Sequence, residues 1–219
     1  MKKLLSPSRI IIVDDHPLMR DGLALRISSQ VDLEVCGESA TEDEAFELVK
    51  QTCPDLVIVD ISLKCGNGIE LVKRIKSLGG STKMLVVSTY SESLYAERAM
   101  RAGAMGYLNK QETNEKLIEA IRIVLSGERY ASAEMTQRLL AQALGKRSET
   151  QDPIELLTDR ELEIYRLIGA GTTTGAIAEQ LILSTHTIDT HRENIKRKLG
   201  CRTGAELSRQ AMQSMLERG

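Results

Sequence analysis

Five polar side chains, far apart along the chain, stand where short apolar runs end. Asp14 and Asp15 follow Arg9–Val13, Asp60 follows Leu56–Val59, Ser88 ends Lys83–Ser88, and Lys110 follows Gly106–Leu108. If these runs are parallel strands of one open sheet, their C-terminal ends share an edge, where such sheets hold ligands. Three carboxylates, a hydroxyl and an ammonium then converge. Carboxylates this close raise one another's pKa unless a cation joins them. Oxygen ligands and an octahedral preference suit Mg2+. Beside such a cation a carboxylate is suited to accept a phosphoryl group: metal and lysine neutralise the transferring oxygens, and Asp60 is the nucleophile. A single aspartate after a strand reads as an ordinary loop-end residue. Five matching positions in successive units carry the reading.

The elements that must position these groups are legible in the apolar pattern. Leu33–Glu38 completes a set of five β-branched runs. Helical stretches separate and follow them at 17–29, 41–51, 67–78, 91–102 and 113–126. Strand–helix alternation with continuous apolar strands predicts an α/β, doubly wound, five-stranded parallel sheet covered on both faces. The last helix is the clearest: Leu117, Ile118, Ile121, Val124 and Leu125 keep helical spacing, Thr113 is placed to cap its start and Gly127 its end. Residues 9–127 form this domain. Residues 128–153 are assigned to a linker, in which 133–144 has helical character and GKRSETQDP carries turn formers and no apolar residue.

From Ile154 to Gly219 every element reads as helical. Thr158-Asp159-Arg160-Glu161 and Thr203-Gly204-Ala205-Glu206 are capping boxes, with Leu157 and Leu162 placed as a hydrophobic staple for the first. Thr173 and Ser184 are each placed to cap a helix between them. Four helices in so short a tail make a small all-α domain. Thr185–Leu199 puts Ile188, Ile195 and Leu199 on one face and centres the opposite face on His186, Thr190, Glu193 and Arg197. Residues 184–202 hold Arg192, Lys196, Arg197, Lys198 and Arg202 against Asp189 and Glu193, a local charge of +3. That is the footprint phosphate contact needs.

The motifs VDDHP (13–17), VDISLKCGNG (59–68), VVST (86–89) and AGAMGYLNK (102–110) resemble the receiver domain of two-component response regulators, a flavodoxin-like fold. The resemblance implies that a histidine kinase phosphorylates Asp60. It implies that Asp15, Asp60 and the Ser62 carbonyl bind Mg2+ directly, with Asp14 acting largely through water. It makes Lys110 the partner of the phosphoryl group, Ser88 the hydroxyl that swings toward it and Tyr107 the aromatic switch. Two departures bear on rates: Lys64 stands where the family commonly has proline, and Tyr90 is bulky beside the site. The string from Leu157 to Leu207 resembles the LuxR-type helix-turn-helix DNA-binding domain. That resemblance implies Ala176–Leu181 as scaffold helix, Thr185–Leu199 as recognition helix and Ala205–Leu216 as dimerisation helix, with Leu207, Ala211 and Met215 in a stripe that equally suits packing within the domain. The DNA-binding set is His186, Thr187, Asp189, Thr190, Arg192, Glu193, Lys196, Arg197 and Lys198. Asp189 and Glu193 depart from the basic residues common there, so base preference is not carried over.

Composition excludes other classes. The 219 residues carry a net charge of −2, which rules out a uniformly basic nucleic-acid coat and an acidic tail. No apolar run approaches the ~20 residues that span a bilayer, and no long apolar stretch follows the basic N-terminus as a secretory signal requires. Cys36, Cys53, Cys65 and Cys201 lack the spacing of a zinc site or disulfide framework and fit reduced cytoplasmic thiols. The expectation is a cytoplasmic, non-enzymatic, phosphorylation-controlled transcription factor that binds double-stranded DNA as a homodimer, with a cognate histidine kinase and Mg2+. Its rivals are a phosphorelay adaptor whose tail binds protein, and an Mg2+-dependent phosphatase, for which no second acid–base residue is evident.

Overall fold

The computed structural model describes residues 6–63, 66–112, 114–133, 135–137 and 152–218. The chain divides between residues 137 and 138 into two compact units. In the first, β1 (Ser8–Val13), α1 (Pro17–Ser28), β2 (Leu33–Ser39), α2 (Glu42–Thr52), β3 (Leu56–Val59), α3 (Gly68–Ser77), β4 (Lys83–Ser88), α4 (Glu92–Ala102), β5 (Gly106–Asn109) and α5 (Asn114–Ser126) follow in turn. All strand pairs are parallel, in the order β2-β1-β3-β4-β5. The expected doubly wound sheet is therefore present. β1, β3 and β4 read as near-continuous apolar runs because helices cover both faces, whereas β2 at the sheet edge, LEVCGES, does not. Ile10, Ile12, Ile58, Leu85 and Val87 pack with Leu23 and Ile27 of α1 and with Ile121 and Val124 of α5. The strand period of two sends Ile11, Val57 and Val86 to the other face, where they are equally buried. The order reverses between β1 and β3, which opens a crevice at their carboxyl ends.

The first residues of the stretch assigned to the linker, 128–137, fall within the first unit. Tyr130 pairs in parallel with Gly106 on the outer edge of β5. Its N–H donates to the Met105 carbonyl at 2.9 Å, and its carbonyl accepts from Tyr107 at 3.4 Å. An edge strand leaves backbone groups unpaired, and the residues just after α5 satisfy some of them. Gly106 permits the approach, since a Cβ there would lie 3.1 Å from the Tyr130 carbonyl oxygen. Met135 is buried as well. Of the helix expected over 133–144, residues 133 and 135–137 are helical. The rest of it, the polar stretch up to 151 and the Thr113 cap lie outside the described residues.

The second unit holds a 3-10 turn (Pro153–Leu156), α6 (Asp159–Gly169), α7 (Thr174–Gln180), α8 (Thr185–Leu199) and α9 (Gly204–Arg218). Each start is closed as its sequence suggests. The Thr158 hydroxyl accepts from the Glu161 amide at 3.3 Å, and the Glu161 carboxylate accepts from the Thr158 amide at 2.8 Å. Thr203 and Glu206 repeat the exchange. Thr173 and Ser184 accept from the amides of Ala176 and Thr187. Leu157 and Leu162, the staple pair, are both buried. The stripe on α9 faces inward: Leu207 and Ala211 are fully buried, and α9 packs on α6. A Cβ on Gly169 would meet the Ala211 carbonyl oxygen at 2.7 Å and the Met215 sulfur at 2.8 Å. Packing within the domain accounts for Leu207 and Ala211, while Met215, the last residue of the stripe, is 37% exposed.

Candidate functional site

The sheet register brings the predicted pocket together. Val13 of β1 lies opposite Val59 of β3, and the Asp60 amide donates to the Val13 carbonyl at 2.8 Å. Asp14 and Asp60 therefore leave neighbouring strands at one level. Lys110 follows β5, its amide donating to the Ser88 carbonyl at 2.9 Å. Its ammonium donates to Asp14 Oδ2 at 2.6 Å and to Asp60 Oδ2 at 2.7 Å. Asp14, Asp15, Asp60 and His16 place ligand atoms within 4.8 Å of one another. Asp14 Oδ1 accepts the His16 backbone N–H at 2.8 Å. His16 Nδ1 stands 2.8 Å from Asp15 Oδ1 without hydrogen-bond alignment. Asp15 Oδ1 and Asp60 Oδ1 are buried with no hydrogen-bond partner. Leaving such oxygens unmatched is costly. A hard divalent cation would match them, so the donor set fits the Mg2+ that receiver domains bind at an acidic pocket.

The electrostatics follow from burial. Burial raises the Asp60 carboxyl above its ordinary value and outweighs the opposing pull of Lys110. Burial also works against charge on Lys110, but Asp60 and Asp14 outweigh it and raise its pKa. The lysine is thus a fixed cation. The Ser62 backbone lies near enough to the Asp60 carboxylate to favour its ionised form, against the effect of burial. Gly68 must lack a side chain, because a Cβ would lie 2.0 Å from the Asp60 carbonyl oxygen.

Ser88, fully buried, accepts weakly from the Tyr90 amide at 3.4 Å. Tyr107 lies inside the fold and its hydroxyl donates to the Tyr90 carbonyl at 2.7 Å. Asn109 donates to the same carbonyl at 3.2 Å. Burial pushes the Tyr107 phenol far above its usual range, so it acts as a neutral donor. The bulky Tyr90 ring rests against Tyr95, with centroids 5.0 Å apart. Lys64 lies outside the described residues. Two pocket neighbours were missed in the sequence. His16 sits directly after the aspartate pair, and its position was the available signal. Arg20, which donates to the Asp14 carbonyl at 2.6 Å and to Glu38 at 3.2 Å, gives no local signal.

On α8, Ile188 and Ile195 are fully buried. His186, Asp189, Thr190, Glu193 and Arg197 are exposed, while Thr187, Arg192, Lys196 and Lys198 are half-buried. The polar side chains are mutually engaged. Thr187 shares a hydrogen bond with Ser184 at 2.8 Å, and Thr190 donates to the His186 carbonyl at 3.0 Å. Lys196 pairs with Glu193 at 2.8 Å, and Arg197 donates to Asn194 at 2.9 Å. Lys198, expected among the DNA contacts, is 28% exposed and is engaged within the domain. Its ammonium donates to Glu161 Oε2 at 2.5 Å. Burial pushes the Glu161 carboxyl up, but Lys198 and the Thr158 bonds outweigh it and hold it below its ordinary value. Glu161 thus joins the start of α6 to the last turn of α8. The capping box announced only its first role.

Known proteins match along both units. The response regulator receiver domain pattern covers residues 10–122, and that of the luxR family of bacterial regulatory proteins covers 155–211. Oxygen regulatory protein NreC of Staphylococcus carnosus is 34% identical over 213 residues, spanning 95% of this chain and 98% of that protein. A LuxR-family two-component response regulator from Aurantimonas is 33% identical with a TM-score of 0.59, covering 64% of this chain and 99% of the other. RcsB from Salmonella enterica serovar Typhimurium, solved bound to promoter rprA, shares the fold at 24% identity and a TM-score of 0.67, over 93% of this chain and 98% of that one. A receiver implies a histidine kinase partner, and a luxR-type domain implies DNA. No described helix is long and apolar enough to cross a membrane. The chain belongs to the LuxR family of two-component response regulators and is a phosphorylation-controlled, DNA-binding transcriptional regulator.

Proposed function

We propose that a cognate histidine kinase in the cytoplasm phosphorylates Asp60, and that the phosphorylated chain binds double-stranded DNA as a homodimer through α8. The observation that carries the first part is the convergence of Asp14, Asp15, Asp60 and Lys110 in one buried cluster. Asp15, Asp60 and the Ser62 carbonyl would hold Mg2+, with Asp14 acting through water. Bound there, Mg2+ would supply charge neutralisation for the phosphoryl oxygens. An Asp60 oxygen bonds to phosphorus as the bond to the donor breaks, leaving an acyl phosphate. Lys110 turns from the carboxylates to a phosphoryl oxygen, and Ser88 directs its hydroxyl to another. Tyr107, bonded to the Tyr90 carbonyl, holds the segment after Ser88. On α8, Arg192, Lys196 and Arg197 meet phosphates, while His186, Thr187, Asp189, Thr190 and Glu193 face base edges. Lys198 serves the helix's placement through Glu161. The dimer is supported by likeness: in one RcsB structure two dimers bind two parallel DNAs.

The test is labelling by acetyl phosphate with Mg2+, read by intact mass. Wild type should gain one acid-labile phosphoryl group. Asp60→Asn should gain none, and Asp15→Ala should need far more Mg2+. An Asp60→Asn protein labelled at full stoichiometry would overturn the assignment.

A further inference from the structure

The loop from Asp60 to α3 returns through residues 66–68, and one side chain from α2 holds it. Glu42 Oε2 accepts the Asn67 backbone N–H at 2.9 Å, while its Oε1 accepts Arg74 Nη1 at 2.7 Å. The same Arg74 nitrogen reaches Asp43 Oδ1 at 2.9 Å, and its guanidinium lies 4.2 Å from the Phe46 ring centroid. Glu42 is largely withdrawn from solvent, with 15% of its side chain exposed, whereas Asp43 is 90% exposed. Gly66 has a φ of 105°, and a Cβ there would stand 2.5 Å from the Glu42 Cβ. The loop backbone thus lies directly on Glu42.

What Glu42 grips connects to the phosphoacceptor within two residues. Asn67 caps α3, its Oδ1 accepting the Ile69 amide at 2.8 Å. Gly68 donates its N–H to the Ile61 carbonyl at 3.1 Å and packs on the Asp60 carbonyl. The clamp therefore runs from Arg74 through Glu42 to Asn67, and from Gly68 to the backbone of Asp60 and Ile61.

We infer that Glu42, oriented by Arg74, is a positioning residue for the phosphoacceptor site, setting the loop that carries the Ser62 carbonyl. This rests on the roles proposed above for Asp60 and Ser62. Mg2+ demands near-octahedral geometry at about 2.0–2.1 Å. A ligand offered by a loop's backbone is only as well placed as that loop. A hydrogen bond to an ionised acceptor is shorter and stronger than a neutral one, so the Glu42 carboxylate suits the task. Its second oxygen is occupied by Arg74, which leaves one oxygen, in one orientation, for the Asn67 amide. A role in stability alone would lower the melting temperature and leave the folded protein's Mg2+ affinity untouched.

Calorimetric Mg2+ titration of the full chain separates the two, alongside acetyl phosphate labelling across a Mg2+ series. Glu42→Ala should weaken Mg2+ binding by about tenfold, the lower end of what outer-shell partners of metal ligands contribute. The Mg2+ dependence of labelling should shift by the same factor, with the rate at saturating Mg2+ close to wild type. Glu42→Gln keeps an acceptor for the Asn67 amide and should recover most of the affinity. Arg74→Met leaves Glu42 unoriented and should fall between, and it decides the question if Glu42→Ala does not fold. Asp43→Asn, at the rim, should match wild type. Wild-type Mg2+ affinity in folded Glu42→Ala, or in Arg74→Met, overturns the inference. If Asp60→Asn still labels, the site itself is misassigned. If Asp60→Asn is silent and the Glu42 variants bind Mg2+ normally, only the clamp fails.

Discussion

Charges of one type on one helix have different fates, and their partners decide which. Lys198 and Arg197 are adjacent in sequence, yet Lys198 is bonded to Glu161 while Arg197 is exposed and donates to the neighbouring Asn194. Arg197→Met should therefore reduce the salt slope of DNA binding by about 1, the loss of one phosphate contact. Lys198→Met should leave that slope unchanged. Salt titrations of both variants on random DNA check this, and equal slopes for the two would refute it. Glu193 is the complementary case. Its side chain is 71% exposed and pairs with Lys196. A carboxylate can accept from cytosine N4 but repels phosphate. Glu193→Ala frees Lys196, so affinity for random DNA should hold or rise. The ratio of operator to random binding should fall by roughly tenfold, as expected from a base contact worth about 1–3 kcal/mol. Paired titrations at two salt concentrations measure it. An unchanged ratio would make Glu193 a solvated surface charge. The residue types of the pocket were legible because each ends a strand. Arg20 was not, because its contact with the Asp14 carbonyl depends on how α1 lies over β1.

Single helices declare their ends more clearly than their neighbours. The limits of α8 follow from Ser184 at the start and from Gly200, whose φ of 70° closes the other end. Periodicity on α9 announces a buried face and is silent on what buries it, so Leu207 and Ala211 suited a dimer as well as the α6 packing they make. The pairing of Tyr130 with Gly106 was illegible for another reason: one bridge leaves no sequence period, and an edge strand's need for a partner appears only once the sheet order is known. The Glu161–Lys198 tie is likewise long-range, and it gives the recognition helix a pH dependence. The Glu161 carboxyl lies below its ordinary value of 4.5, so the folded state binds its proton more weakly than the unfolded chain. Its contribution is complete above pH 4.5 and is lost as pH falls through the lowered folded value. A hydrogen bond to a charged group contributes about 1.5–3 kcal/mol. Glu161→Gln should be less stable than wild type by up to that amount at neutral pH, and the gap should close in acid. Hydrogen exchange of α8 amides in the full chains, compared at matched pH, reads the gap. A gap that stays constant into acid would contradict the tie.

The whole chain joins two chemistries that its composition averages away. A net charge of −2 conceals both a carboxylate cluster and a stretch of +3 over residues 184–202. Each unit carries its own core: Ile10, Leu85 and Ile121 in one, Leu162, Ile188 and Leu207 in the other. A ligand that binds one native unit and not its unfolded form stabilises that unit by mass action, about 2.7 kcal/mol at a hundred times its Kd. Mg2+ should therefore raise the melting temperature of the first unit and leave the second where it was. Without Mg2+, the ionised Asp60 carboxylate is a liability, since burial holds its pKa above the ordinary 3.8. A raised folded pKa means that the folded state loses stability as pH climbs from about 3.8 through the folded value. Asp60→Asn removes that charge. At neutral pH it should raise the melting temperature of the first unit in the absence of Mg2+ and reduce the further gain on adding it. Differential scanning calorimetry of both proteins, with Mg2+ and with chelator, resolves the two transitions. A Mg2+ shift of equal size in Asp60→Asn and wild type would place the cation elsewhere, and a shift confined to the second transition would remove it from the first unit altogether.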